Sequence, residues 1–162
     1  MKHSVLMRRA AAAMIGGVLF LAAPATALAQ TITVNKTPWC GCCMKWVEHL
    51  RENGFEVEIK ETENLTPVRQ ALGVPLELTS CHTGEVEGYA IEGHVPADEI
   101  HRLLKERPDA TGISVPGMPA GSPGMEMGDR KDQYDVVIFS DESDAIYATY
   151  VGSDKVNLAA AD

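Results

Sequence analysis

Positive charge is scarce in this 162-residue chain, where 14 lysines and arginines face 23 aspartates and glutamates for a net charge of −9 at neutral pH. Three of those cations, Lys2, Arg8 and Arg9, fall at the very start, so removing them takes the remainder from −9 to −12. Binding nucleic acid or an anionic membrane calls for the opposite balance, which argues against both as partners. An acidic surface suits an exported soluble protein and mildly attracts cations. Long apolar runs are also lacking: Ala10 to Ala23 falls short of the roughly 20 residues that a helix needs to cross a bilayer. No internal repeat is visible, which leaves no basis for a solenoid.

What the first residues do contain is a leader pattern. A basic start, a short apolar stretch, Pro24 and the small-residue site Ala27-Leu28-Ala29 together predict a secretory signal over residues 1–29. The mature chain then begins near Gln30, and the expected compartment is the periplasm, with no stable membrane association. What remains is long enough for one domain with a real core.

The pattern after Gln30 predicts an α/β fold. Thr31 to Asn35 is β-branched and reads as a strand. Trp46, Val47 and Leu50 recur at helical spacing behind a cysteine cluster, and Asn53-Gly54 stops that helix. Phe55 to Glu61 alternates as a half-buried strand, and Leu65 to Leu72 reads as a short helix. Thr79 to Val86 and Tyr89 to Val95 read as strands. The helix over Pro96 to Arg107 opens on acids, closes on bases and stops at Pro108. This order, β-α-β-α-β-β-α, predicts a thioredoxin-like sheet with flanking helices over residues 30–110. Residues 111–162 form a Met/Gly/Pro-rich loop and two-strand extension: eight of the eighteen residues from Thr111 to Gly128 are glycine or proline, which predicts irregular structure. Strands follow at Tyr134 to Ser140 and Ala145 to Val151, and the tail after Gly152 reads as frayed.

All four cysteines lie past the leader, three of them as Cys40-Gly41-Cys42-Cys43 and the fourth at Cys81. Three thiols in one turn cross-link little, so simple stapling is a poor reading. A helix N-terminus stabilises thiolate, the form that acts as nucleophile and as metal ligand. Two chemistries then compete. Cys40 and Cys43 have the C-x-x-C spacing of thiol–disulfide exchange, but Cys42 would compete for mixed disulfides and no proline adjoins Cys81. Metal binding uses every sulfur, and sulfur selects Cu(I), zinc or iron–sulfur clusters. Zinc normally draws on two separate knuckles, and the spacing fits neither common ferredoxin pattern. Bridging thiolates around several Cu(I) ions suit adjacent cysteines best.

Other soft donors accompany them. Met118, Met125 and Met127 crowd the glycine-rich loop, where thioether is either a copper ligand or an apolar plug. His82 adjoins Cys81 and is a candidate ligand or proton shuttle, while His94 ends a strand at a turn and is a further candidate. His49 and His101 read as surface residues on helices.

TPWCGCCMKWVEHL (Thr37 to Leu50), GVPLELTSCHT (Gly73 to Thr83), GYAIEGHVPADEIHRLL (Gly88 to Leu104) and VPGMPAGSPGMEMG (Val115 to Gly128) resemble, in that order, the CxCC family of periplasmic copper-resistance proteins of the CopG type. The resemblance implies a thioredoxin-like domain whose C-terminal extension helps bind metal. It implies a multinuclear, cysteine-bridged copper cluster that interconverts Cu(I) and Cu(II) in copper resistance, with Cys40, Cys42, Cys43 and Cys81 as its thiolates. Copper ions, and periplasmic copper export components, are the expected partners. A copper chaperone or store without turnover, or a thiol–disulfide oxidoreductase, is the alternative.

Overall fold

The computed structural model describes residues 29–156, so the expected leader, apart from Ala29, and the last six residues lie outside the described residues. Eight strands form one mixed sheet in the order β2-β1-β3-β4-β5-β6-β7-β8. β1 (Thr31–Lys36) pairs in parallel with β2 (Glu56–Glu61) and antiparallel with β3 (His82–Val86), and β3 pairs antiparallel with β4 (Tyr89–Glu92). α1 (Gly41–Glu52), α2 (Thr66–Ala71) and α3 (Ala97–Glu106) alternate with these strands as a thioredoxin-like unit requires.

The alternation of side chains along each strand divides the core between two faces. Ile32, Val34 and Ile91 meet Trp46, Val47 and Leu50 of α1 and Ile100 and Leu103 of α3 on one face. Ala90, one residue from Ile91, joins Val74, Leu78 and Phe139 on the other, near α2. Complete burial of the Trp46 side chain alone contributes on the order of 2–3 kcal/mol. Among the described residues no helix is long and apolar enough to cross a membrane.

The later segment is more regular than its composition predicts. Gly112 to Ser114 forms β5, parallel to β4, and connects the first four strands to the meander β6 (Gln133–Phe139), β7 (Asp144–Val151) and β8 (Asp154–Val156). The glycine and proline content hid β5 because only three residues, Gly-Ile-Ser, must be extended there, with Ile113 buried. β8 corrects the expectation of a frayed tail for Asp154–Val156, while residues 157–162 of that tail lie outside the described residues. Lys155 places its ammonium 2.5 Å from the Glu99 carboxylate of α3, which the Tyr150 hydroxyl also donates to at 2.7 Å. Lys155 of β8 is thus held by a buried carboxylate on a helix far away in sequence.

Candidate metal centre

α1 starts abruptly. Cys40 is its cap residue in an extended conformation, and no side chain caps the first turn. Cys42 and Cys43 therefore sit where free N–H groups and the positive end of the helix dipole collect. Helical spacing carries Cys43 inward with Trp46 and Val47, so its sulfur is buried while Cys40 and Cys42 stay half-buried. Cys81 approaches from the other side, one residue before β3. Cys43 Sγ is 3.8 Å from Cys81 Sγ, and Cys40 Sγ is 3.6 Å from Cys42 Sγ. All four sulfurs lie within 4.8 Å of one another, and Cys40 and Cys43 are joined as a disulfide, with Cys42 and Cys81 free.

Two histidines extend the cluster. Cys81 Sγ is 3.3 Å from His82 Nδ1 and 3.1 Å from His94 Nε2, and these three residues also share a 4.8 Å sphere. The His82 ring lies fully buried against Trp46, with centroids 4.2 Å apart, and Trp46 is fixed by donating to the Val95 carbonyl at 2.8 Å. His94 donates its Nδ1–H to the Pro123 carbonyl at 2.7 Å, because a carbonyl only accepts. That bond leaves the Nε2 lone pair facing Cys81. Burial holds His82 well below the usual imidazole range, helped by neighbouring His94, and burial lowers His94 as well. Both rings are therefore neutral donors at physiological pH. The Cys81 thiol is pushed up to about 12, first by burial and then by Cys42, so a ligand that takes this sulfur must displace a proton.

The Cys81 position is fixed from behind by residues that the pattern of sulfurs does not reveal. Glu92, fully buried, accepts from the Ser80 backbone N–H at 2.7 Å, from Arg69 Nε at 3.0 Å and from the Thr83 hydroxyl at 2.6 Å. Arg69 also donates to the Ser80 carbonyl at 2.5 Å. Burial raises the Glu92 carboxyl, while Thr83, Ser80 and Arg69 pull it back down. One acid inside the otherwise apolar run Tyr-Ala-Ile-Glu was the available signal. Gly93 follows at φ +75°, and a Cβ there would strike Ser80 and the Val115 carbonyl, so the turn that presents His94 demands glycine.

The methionine loop closes over the helix start by backbone contact. Gly124, at φ +82°, lies so near α1 that a Cβ would come 2.7 Å from the Trp46 nitrogen and 3.1 Å from the Cys42 carbonyl. Met125 next to it is half-buried, whereas Met118 and Met127 are among the most exposed apolar side chains. The structure thus brings together Cys40, Cys42, Cys43, Cys81, His82 and His94, with Met125 at the edge of the loop that touches them. With the disulfide open, the donor set of four buried or half-buried sulfurs and two neutral imidazoles fits a soft metal. A separate open groove of about 610 Å³ beside Pro75 and the β6–β7 turn contains no cysteine or histidine.

The chain is similar to known proteins. Residues 78–125 match a family described as "Protein of unknown function, DUF411". Two solved structures titled copper resistance protein CopG share 45% and 46% identity with the chain, at TM-scores of 0.73 and 0.72. Each alignment covers 76% of this chain, and 99% and 98% of the respective structure. The chain belongs to the CopG family. No curated protein matches it. The two CopG structures align with this chain over nearly their whole length.

Proposed function

We propose that the chain binds copper in the periplasm as part of copper resistance and, with all thiols reduced, holds a multinuclear cluster bridged by Cys40, Cys42, Cys43 and Cys81. The observation that carries this reading is the convergence of four sulfurs within 4.8 Å, too many for exchange and too close to serve separate tasks. Bridging relieves the crowding, since each Cu(I) is content with two or three sulfurs and each sulfur can serve two ions. His82 and His94 beside Cys81 are the supplementary donors, with Met125, Met118 and Met127 of the loop as further candidates. Copper supplies a one-electron couple between Cu(I) and Cu(II). The protein's part is to hold the donors in place: α1 presents three sulfurs, the Glu92 network fixes the fourth, and the residue 111–128 loop shields the result. We assign residues 30–110 the thioredoxin-like unit and 111–162 the extension that covers it, with export by the leader and handover to periplasmic export components.

Anaerobic titration of the fully reduced chain with Cu(I) tests the reading. The expected result is more than one copper per chain, with a lower stoichiometry in Cys42→Ser. Uptake of one ion or none would overturn it. The Cys40–Cys43 disulfide favours a second reading, thiol–disulfide exchange. That alternative requires Cys42→Ser to reduce a disulfide substrate as fast as the parent chain, with no dependence on copper.

A further inference from the structure

Closing Cys40–Cys43 removes two sulfurs from the cluster but leaves a second donor set intact. Cys81, His82 and His94 meet on the β3–β4 side of the recess, and none of them takes part in the disulfide. We propose that the disulfide form is itself a copper-binding state, in which Cys81, His82 and His94 hold a single Cu(II). Opening or closing Cys40–Cys43 then switches the chain between this site and the thiolate cluster, with Cys81 common to both. The cluster half of the switch rests on the function proposed above, and the single-ion site stands without it.

Three observations support the site. The separations of 3.3 and 3.1 Å from Cys81 Sγ to the two ring nitrogens are those of donors on one ion, since metal–sulfur bonds of about 2.3 Å and metal–nitrogen bonds of about 2.0 Å place such pairs roughly 3.1–3.7 Å apart. The Pro123 carbonyl fixes the His94 tautomer with its Nε2 lone pair toward the sulfur, the arrangement in which a backbone acceptor orients a metal-binding imidazole. His82, fully buried, has no protein partner at Nε2, so nothing prevents its proton from resting there while Nδ1 offers its lone pair.

The donor chemistry sets the oxidation state. Sulfur alone selects Cu(I), whereas one thiolate with two imidazoles is a set that accepts Cu(II). Binding to the disulfide form moves no electron: Cu(II) replaces the proton of the Cys81 thiol, which leaves to solvent. Opening the switch takes two electrons and two protons from an external dithiol, all spent on the disulfide. That donor becomes a disulfide as Cys40 and Cys43 become thiols. The Cu(II) leaves Cys81 to solvent as Cu(II), a proton returns to that sulfur, and Cu(I) then loads the reduced site.

The test uses the exported chain with Cys40–Cys43 closed, verified by thiol counting, and titrated anaerobically with Cu(II). Expected are one Cu(II) per chain, a sulfur-to-copper charge-transfer band, and nitrogen hyperfine coupling from two imidazoles in the electron paramagnetic resonance spectrum. Cys81→Ser should abolish the band and His94→Gln should remove one nitrogen coupling, with circular dichroism confirming that each variant is folded. Cys42→Ser should leave the band in place while lowering Cu(I) uptake by the reduced chain. Failure of the disulfide form to bind Cu(II), survival of the band in Cys81→Ser, or its loss in Cys42→Ser would each overturn the proposal. Failure of the cluster reading would show instead in the Cu(I) stoichiometry of the reduced chain, a separate measurement.

Discussion

Cys40, Cys42 and Cys43 ride on a helix start that no side chain caps, whereas Cys81 and both histidines stand on a strand pair pinned from behind. One wall of the recess exposes two of its three sulfurs in part and closes a disulfide; the other buries its histidines and fixes the backbone of its cysteine loop. The contrast teaches a division of labour. On the proposed reading, the donors that rearrange between thiol, disulfide and bridged thiolate sit at a helix start that no side chain caps. Donors that must keep one geometry sit over a hydrogen-bonded acid. Preorganisation of this kind lowers the cost of assembling a site when its ion arrives.

The largest test of that division removes the pin. Glu92→Ala leaves Arg69, the Thr83 hydroxyl and the Ser80 N–H without their shared acceptor. Breaking a buried pair from one side costs about 3–5 kcal/mol, and because Arg69 is partly exposed the expected loss is about 3 kcal/mol. A urea melt of the metal-free chain measures it. Alkylation of Cys81 in the folded variant should also quicken relative to Cys42, as its loop loosens. Unchanged relative rates would show that the rear network does not position Cys81.

Next in size is the contact by which the loop reaches the uncapped helix start. Gly124→Ala places a methyl group against the α1 backbone at a positive φ, and both terms disfavour it. Destabilisation of about 2 kcal/mol is expected, with increased proteolysis within residues 115–128. A wild-type midpoint in chemical denaturation would mean that the loop does not press on the helix as described.

The methionines sharpen the comparison on a smaller scale. Met125 adjoins Gly124 and is half-buried, while Met118 and Met127 face solvent. Met125→Leu keeps the bulk and removes the thioether, and should weaken Cu(I) binding by about tenfold, the low end for losing a supporting donor. The same change at Met118 or Met127 should stay within about twofold, since exposed substitutions rarely matter. Competition with a chromophoric Cu(I) chelator separates these outcomes, and equal effects at all three positions would sink the distinction.

Much of this was legible in residue order. The thioredoxin-like alternation followed from period and punctuation, because α1, α3 and β1 each bury a patterned face and α1, α2, β4 and α3 stop within two residues of a Gly or Pro. The cysteine clustering was plain, since adjacency in sequence guarantees proximity when three thiols share a turn. What stayed hidden depended on distance in sequence. β8 is held by Lys155 on Glu99, and Glu92 is paired with Arg69 and Ser80, none of which local pattern can reveal. β5 was masked by a composition that normally marks loops, and only its pairing with β4 and β6 makes it a strand. His94 was already a candidate in the sequence, but the Pro123 carbonyl that fixes its ring, 29 positions away, was not.

His49 shows the same blindness and supplies the smallest prediction. Its place on α1 suggested a surface residue, yet its Nε2 accepts the Ala97 N–H at 3.1 Å and so caps the start of α3. Only the neutral ring can accept there. Burial lowers the His49 pKa, opposed by Glu126, Glu52 and Asp98 nearby. With the folded value below the unfolded one near 6.5, the unfolded chain takes up this proton first on acidification. The cap's contribution is therefore complete above about pH 6.5 and declines as pH falls from there toward the folded value. Its loss is worth on the order of 1 kcal/mol, as for other helix caps. Paired urea melts of the metal-free parent and His49→Gln at pH 7.5 and 5.5 isolate it, since the other titrating groups are common to both chains. The stability gap between the two should narrow at the lower pH as the parent loses its acceptor. A gap that stays constant would show that this imidazole caps α3 without coupling its stability to pH.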